Sequence, residues 1–299
     1  MRAILKSAFL ALLQVSALPL NSIYTLRRRW FHDEHVVIIM YHKISELTQG
    51  LDAEWSVSPA MFARQMDFLA ANDFNVIPLD TFFRCLETQT AAPRNAVVIT
   101  FDDGYANVFE YAYPVLLRLG FPATIFQTVQ FADKQQLFTW DKQAFGDQPR
   151  LLQHLRALSW DEIRVMCDSG LITMGSHTMT HPHLGRLSPD EIRFEVLESK
   201  RLLELHTGQQ VRFFAFPGGI RRYGDISDSA LDIVAASGYD LACTSAIGRN
   251  TLQQDRFSLK RIGIGRGDTI ATFRGKLLGA YDWVHLAQGL FQRFFGSSY

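Results

Sequence analysis

Short apolar runs alternate along this chain with longer amphipathic stretches, and the alternation predicts strands and helices in turn. Runs at 36–40, 75–77, 96–101, 123–128, 171–174, 212–216, 239–244 and 259–264 read as strands, several of them continuously apolar as in a strand buried on both faces. A helical period appears between most of them, at 59–71, 107–119, 159–169, 188–206 and 226–237. Ser188 and Pro189 with Glu191 make a helix start, and Gly170, Gly208 and Gly238 follow helix ends. Alternating strands and helices argue for a parallel sheet. Eight such strands within roughly 230 residues, with polar chemistry gathered just after strand ends, predict an α/β fold: a distorted (β/α) barrel of seven to eight parallel strands. A doubly wound sheet also places sites at strand ends, but the chain carries no Gly-rich dinucleotide fingerprint.

The chemistry concentrates in two of these strand ends. TFDDGY, at 100–105, puts adjacent carboxylates, Asp102 and Asp103, directly after the run at 96–99, and Gly104 allows a sharp turn. Neighbouring acids repel in a partly dry site unless positive charge lies beside them. A metal that takes one carboxylate and leaves the other free satisfies that condition. GSHTMTHPHL, at 175–184, supplies His177 and His181, four apart, so that one helical turn or a tight loop aims both imidazoles at one point. Either motif alone describes an ordinary solvated turn or a surface histidine pair. Both at strand ends predict a metal with open coordination positions for water and substrate. Zinc is the default, and these ligand types also accept cobalt, nickel, manganese or iron.

TFDDGY, SHTMTH and FFAFPGG at 213–219 resemble the first three motifs of the polysaccharide deacetylases, the NodB-homology family (carbohydrate esterase family 4). The resemblance runs over roughly residues 36–264 and takes in MYH at 40–42, WDEI at 160–163 and LKRIGI at 259–264. It is strongest toward the branch acting on exported bacterial polysaccharides such as poly-N-acetylglucosamine. The resemblance implies Asp103, His177 and His181 as metal ligands and Asp102 as general base, in a hydrolysis that removes N-acetyl groups from amino sugars. It also implies a backbone N–H oxyanion donor at Gly218, where the family carries a Tyr. Two other departures touch the acid–base machinery. The Arg usual in the third motif is replaced by Ala215, and LKRIGI lacks the His that serves the family as general acid. His42, with His183 behind it, is the expected replacement acid. Arg261 is the expected substitute for the Arg beside Asp102, against an alternative in which it merely caps a carbonyl or pairs with a surface acid.

Charge alters this picture little. Lys plus Arg equal Asp plus Glu at 30 each, so no global field favours nucleic acid, and no nucleic-acid partner is expected. Three scattered cysteines, Cys85, Cys167 and Cys243, make no disulfide framework and read as small buried apolar residues. The longest irregular stretch, 130–158, contains Trp140 and Asp141, which read as a substrate-side insertion or a plain surface loop. The division expected is a hydrophobic and basic segment at 1–34, the catalytic barrel at 35–270 and an amphipathic tail at 271–299. The first segment fits a signal peptide cut near Val15-Ser16-Ala17 or a membrane-surface helix, and the tail fits either membrane contact or packing on the barrel. Location in the bacterial cell envelope follows, on either side of the membrane. Three functional classes remain: a metal-dependent N-deacetylase of a polymer or of a lipid-linked or small glycan, a non-haem iron oxygenase, and a glycan-binding protein without catalysis. The second aspartate is needed as a base in hydrolysis and has no role in oxygen activation.

Overall fold

A computed structural model describes residues 35–46, 53–132, 137–145 and 155–282. The main sheet holds β1 (Val37–Tyr41), β4 (Asn75–Val76), β5 (Ala96–Phe101), β6 (Ala123–Gln127), β7 (Ile172–Ser176), β8 (Phe213–Ala215), β9 (Leu241–Cys243) and β10 (Ile262–Gly263). The short β2 (Lys43–Ile44) and β3 (Ser56–Val57) pair separately. Seven strands follow the order β10-β1-β5-β6-β7-β8-β9, and β4 pairs with the start of β5. Every strand pairing in the sheet is parallel.

The sheet curls into the expected distorted barrel. Its seam is the stretch 259–263, which bridges Cys243 at the end of β9 and pairs Ile262 with Ile39 of β1. Alternation along the strands sends one set of side chains inward and the other outward. Ile38, Val98, Phe126, Phe213 and Leu241 share one cluster with Phe82 and Leu86 of the helix Leu79–Thr88. Val37, Ile39, Val97, Ile99 and Ile125 face the other way, into a cluster with Phe62 of the helix Pro59–Ala71 and Ile163 of the helix Trp160–Asp168. Burial on both faces is the reason the strand segments are apolar without alternation. The three cysteines are free and buried, and burial pushes the Cys243 thiol up to about 12.

Local departures from the expected elements have physical causes. The helix expected over 107–119 opens with a π-helical stretch, Val108–Ala112, before the α-helix Tyr113–Leu119. Pro114 lacks an N–H for the carbonyl four residues back and its ring crowds that carbonyl, so the turn widens there. The helix Leu79–Thr88 is not among the expected elements, although its buried Leu79, Phe82, Phe83 and Leu86 lie at helical spacing. Within 130–158, expected to be irregular, the described residues form the short helices Val129–Ala132 and Thr139–Phe145. The helix Ile270–Leu277 crosses the boundary expected at 270 and packs Phe273 and Leu277 into the core that β1 and β5 share. The segment 1–34 and the tail beyond 282 lie outside the described residues; among those described, no helix is long and apolar enough to cross a membrane.

Gly175, in β7, measures how tightly the barrel interior is filled. A Cβ there would lie 2.5 Å from the Phe126 ring and 3.0 Å from the Phe213 carbonyl oxygen. Gly175→Ala is expected to cost about 1–3 kcal/mol of stability by overpacking. Adding Phe126→Leu should recover part of that loss in denaturant unfolding, whereas strictly additive losses would contradict this packing.

Candidate metal centre and active site

Asp102 and Asp103 leave β5 in opposite directions. Asp102 continues the inward side of the strand, in phase with Val98 and Thr100, and its N–H donates to the Tyr41 carbonyl at 2.9 Å. Asp103 then takes a left-handed conformation (φ 69°), which turns its side chain toward the next strand ends. Gly104 (φ 86°) completes the turn, and a Cβ there would fall inside the Gln127 side chain. The carbonyls of Asp103 and Gly104 accept from the N–H groups of Thr128 and Leu158.

His177 and His181 come from a tight loop after β7, not a helical turn. Its form is set by Glu195 on the helix Pro189–Thr207, whose buried carboxylate accepts from the Met179 and Thr180 N–H groups at 2.8 and 2.9 Å and from the Thr180 hydroxyl at 2.7 Å. Thr178 and His181 both have positive φ, 69° and 66°, so the loop carries backbone strain of the kind found at functional sites. The Thr178 hydroxyl accepts from the His181 N–H at 3.0 Å.

Three side chains converge. Asp103 Oδ1 lies 3.3 Å from His181 Nε2 and 3.7 Å from His177 Nε2. Asp103, His177 and His181 each offer a donor atom within 4.8 Å of the others, so the triad can hold a metal ion. Two bonds of about 2.0–2.1 Å at a tetrahedral angle subtend about 3.4 Å, so these separations fit one ion. His177 Nδ1 lies 2.8 Å from the Ala215 carbonyl oxygen, which keeps the proton on Nδ1 and leaves the Nε2 lone pair facing the triad. Burial pushes His177 down to about 4 despite the neighbouring aspartates, so the ring is neutral at physiological pH, as a ligand must be. Burial acts to raise Asp103, but His181, His42 and His177 outweigh it and hold the carboxyl far below its usual range.

Asp102 is occupied elsewhere. Arg261 Nη1 and Nη2 donate to its two oxygens at 2.6 and 2.7 Å, while Arg261 Nε donates to the Thr244 carbonyl at 2.8 Å. Both side chains are almost wholly buried. Burial raises the Asp102 carboxyl, yet the Arg261 guanidinium, helped by His177 and His42, leaves it below the usual value. Arg261 thus stands beside Asp102 from the barrel seam, where Ala215 of β8 presents no guanidinium. Asp102 Oδ2 is 4.0 Å from His177 Nε2, within reach of the same space as the triad.

The remaining expected residues flank this centre. His42 follows β1, its ring packs 5.2 Å from that of Trp55, and its buried Nδ1 has no hydrogen-bond partner among the described residues. His183 lies at the rim, its Nδ1 2.9 Å from the buried Asp225 carboxylate. Gly218 has φ 69°, and a Cβ there would sit 2.7 Å from Asp225 Oδ2 and 2.8 Å from His183 Nδ1. The His183–Asp225 pair therefore fills the space that a Tyr side chain would need at this position. Trp140 lies against the centre, 4.6 Å from the His181 ring. Sequence reasoning missed Glu195, Lys43 and Tyr105. Only Tyr105 carried a signal, as the last residue of TFDDGY.

A polysaccharide deacetylase family profile matches residues 89–242, more than half of the chain. The Bacillus subtilis protein YxkH is 27% identical over 244 residues, 82% of this chain and 75% of the relative. The poly-beta-1,6-N-acetyl-D-glucosamine N-deacetylase of Escherichia coli O157:H7 is 24% identical over 277 residues, which take in 83% of this chain but 39% of that enzyme. Among solved structures, the polysaccharide deacetylase BC0361 from Bacillus cereus superposes with a TM-score of 0.65 at 28% identity, covering 81% of this chain and 69% of the other. A de-N-acetylase from Aggregatibacter actinomycetemcomitans shares the fold, with a TM-score of 0.68 at 20% identity over 81% of this chain and 99% of that one. With a family profile matching more than half of its length, and a triad able to hold a metal ion at the mouth of a curled parallel barrel, the chain belongs to the polysaccharide deacetylase family.

Proposed function

We propose that this protein removes N-acetyl groups from amino sugars of an exported or cell-envelope polysaccharide, with Asp103, His177 and His181 as metal ligands and Asp102 as general base. The observation that carries the reading is the division of labour between the adjacent aspartates. Asp103 faces two imidazoles, while Asp102 is forked on Arg261 through both oxygens and comes no closer than 4.0 Å to His177 Nε2. The substrate class follows the named activity of the Escherichia coli relative, which is longer than the matched region.

A divalent metal in this triad, zinc in the first place, supplies Lewis-acid polarisation of a carbonyl and lowers the pKa of water. The protein's own groups do the rest. Asp102, ionised at neutral pH by Arg261, accepts the proton of the attacking water. Arg261 fixes the plane of the carboxylate through two hydrogen bonds, so the base enters the reaction already oriented. The Gly218 N–H serves as donor to the developing oxyanion. His42, whose buried Nδ1 has no hydrogen-bond partner among the described residues, delivers a proton to the departing amine. An oxygenase would have no use for Asp102, which favours hydrolysis.

Metal-stripped protein should release acetate from N-acetylglucosamine oligomers only after a divalent metal is restored. Acetate release untouched by chelation would contradict the metal reading. Asp103→Ala is expected to lose both metal and turnover, whereas Asp102→Asn should keep the metal and lose turnover by at least about a hundredfold. An active Asp102→Asn protein would eliminate Asp102 as the base. The Arg261 charge holds Asp102 ionised, so weakening it raises the pKa of the base. The acid limb of the pH–rate profile should therefore move to higher pH in Arg261→Met, and less far in Arg261→Lys. Arg261→Met should also lose about 3–5 kcal/mol of stability, because it strands a buried charge. An unmoved acid limb in a folded Arg261→Lys protein would contradict the coupling.

A further inference from the structure

A buried polar chain outside the proposed ligand set and acid–base pair reaches the site from the segment between β6 and β7. Lys43 Nζ and Asp141 Oδ1 form an ion pair at 2.7 Å with side chains only 5% and 3% exposed. The other carboxylate oxygen of Asp141 accepts from the Tyr105 hydroxyl at 2.6 Å. That hydroxyl in turn accepts from Trp140 Nε1 at 2.8 Å. The chain ends on the indole, whose ring centre lies 4.6 Å from that of His181. Burying an ion pair is costly, and a well-packed apolar pair would usually stabilise the fold as much or more. Such a pair makes physical sense where it fixes a geometry.

The two metal-facing histidines are held differently. The Ala215 carbonyl fixes His177 through Nδ1. The His181 ring instead packs against Trp140 and His177, and its backbone adopts a strained left-handed conformation. The geometry points to Trp140 as the positioning residue for His181, with Tyr105, Asp141 and Lys43 as the buried bracket that holds the indole in place. The bracket is anchored beside the other working groups, since Lys43 follows His42 and Tyr105 lies two residues beyond Asp103. This inference rests on His181 as a metal ligand and not on deacetylation.

The test uses the full chain, stripped of metal and titrated with Co2+ against a chromophoric chelator. Trp140→Phe keeps an aromatic ring but removes the N–H, and Tyr105→Phe removes only the hydroxyl. Each should unfold thermally near the wild-type temperature and bind Co2+ about 10–100-fold more weakly, the range seen when a group orienting a metal ligand is lost. The double variant should bind no more weakly than the weaker single variant, because both changes break one bracket. Wild-type Co2+ affinity with an unaltered visible spectrum in folded Trp140→Phe would overturn the inference, as would strictly additive losses. If Tyr105→Phe fails to fold, Trp140→Phe decides alone, since its side chain is only half-buried. Tight Co2+ binding by a wild-type protein that releases no acetate would overturn the deacetylase reading and leave this one standing.

Discussion

Two consecutive carboxylates, both buried, are tolerated here because Arg261 answers one of them. Each buried charge costs several kcal/mol of desolvation, and only close, fully hydrogen-bonded pairing offsets that cost. The guanidinium meets the requirement with two bonds to Asp102 and a third to the Thr244 carbonyl. Arg261 also sits on the stretch that seals the barrel between β9 and β1, so closing the sheet and holding Asp102 ionised are one structural event. Asp103 is thereby free to serve the histidines. Without the pair, two like charges would meet in a dry cavity and one would take up a proton.

The second constraint is backbone strain. Asp103, Thr178 and His181 all occupy the left-handed region, which non-glycine residues avoid at a cost of order 1–3 kcal/mol each. Their turns persist because surrounding groups over-determine them. Glu195 binds the loop between the histidines at three points, and Thr128 and Leu158 hold the turn after β5. The helices and the apolar barrel supply a rigid mounting, and the strain buys convergence of side chains from separate strand ends.

Much of this was legible in the sequence. TFDDGY and SHTMTH name the residues that meet, because a short motif at a strand end fixes position as well as chemistry. A barrel of seven to eight parallel strands, with sites at their carboxyl ends, followed from apolar runs alternating with amphipathic ones. Arg261 was an even choice between a carbonyl cap and a partner for Asp102, and it does both. Lys43 and Glu195 were not legible as parts of the site, and Asp141 was legible only as part of a substrate-side insertion or a surface loop. Lys43 and Asp141 are 98 residues apart, and Glu195 bonds a loop 15 to 16 residues back across the start of its helix; no local pattern encodes either contact. The π-helical stretch before Tyr113 was missed although Pro114 stood in plain view, since a proline can end a helix, bend it or widen it with equal economy.

The central claim is that Asp103 serves the metal while Asp102 does not. Anomalous diffraction from zinc-loaded crystals tests it most directly. The account predicts a single strong peak about 2.0–2.2 Å from Asp103, His177 Nε2 and His181 Nε2, with Asp102 still forked on Arg261. Zinc coordinated by Asp102, with Arg261 displaced from it, would contradict the account.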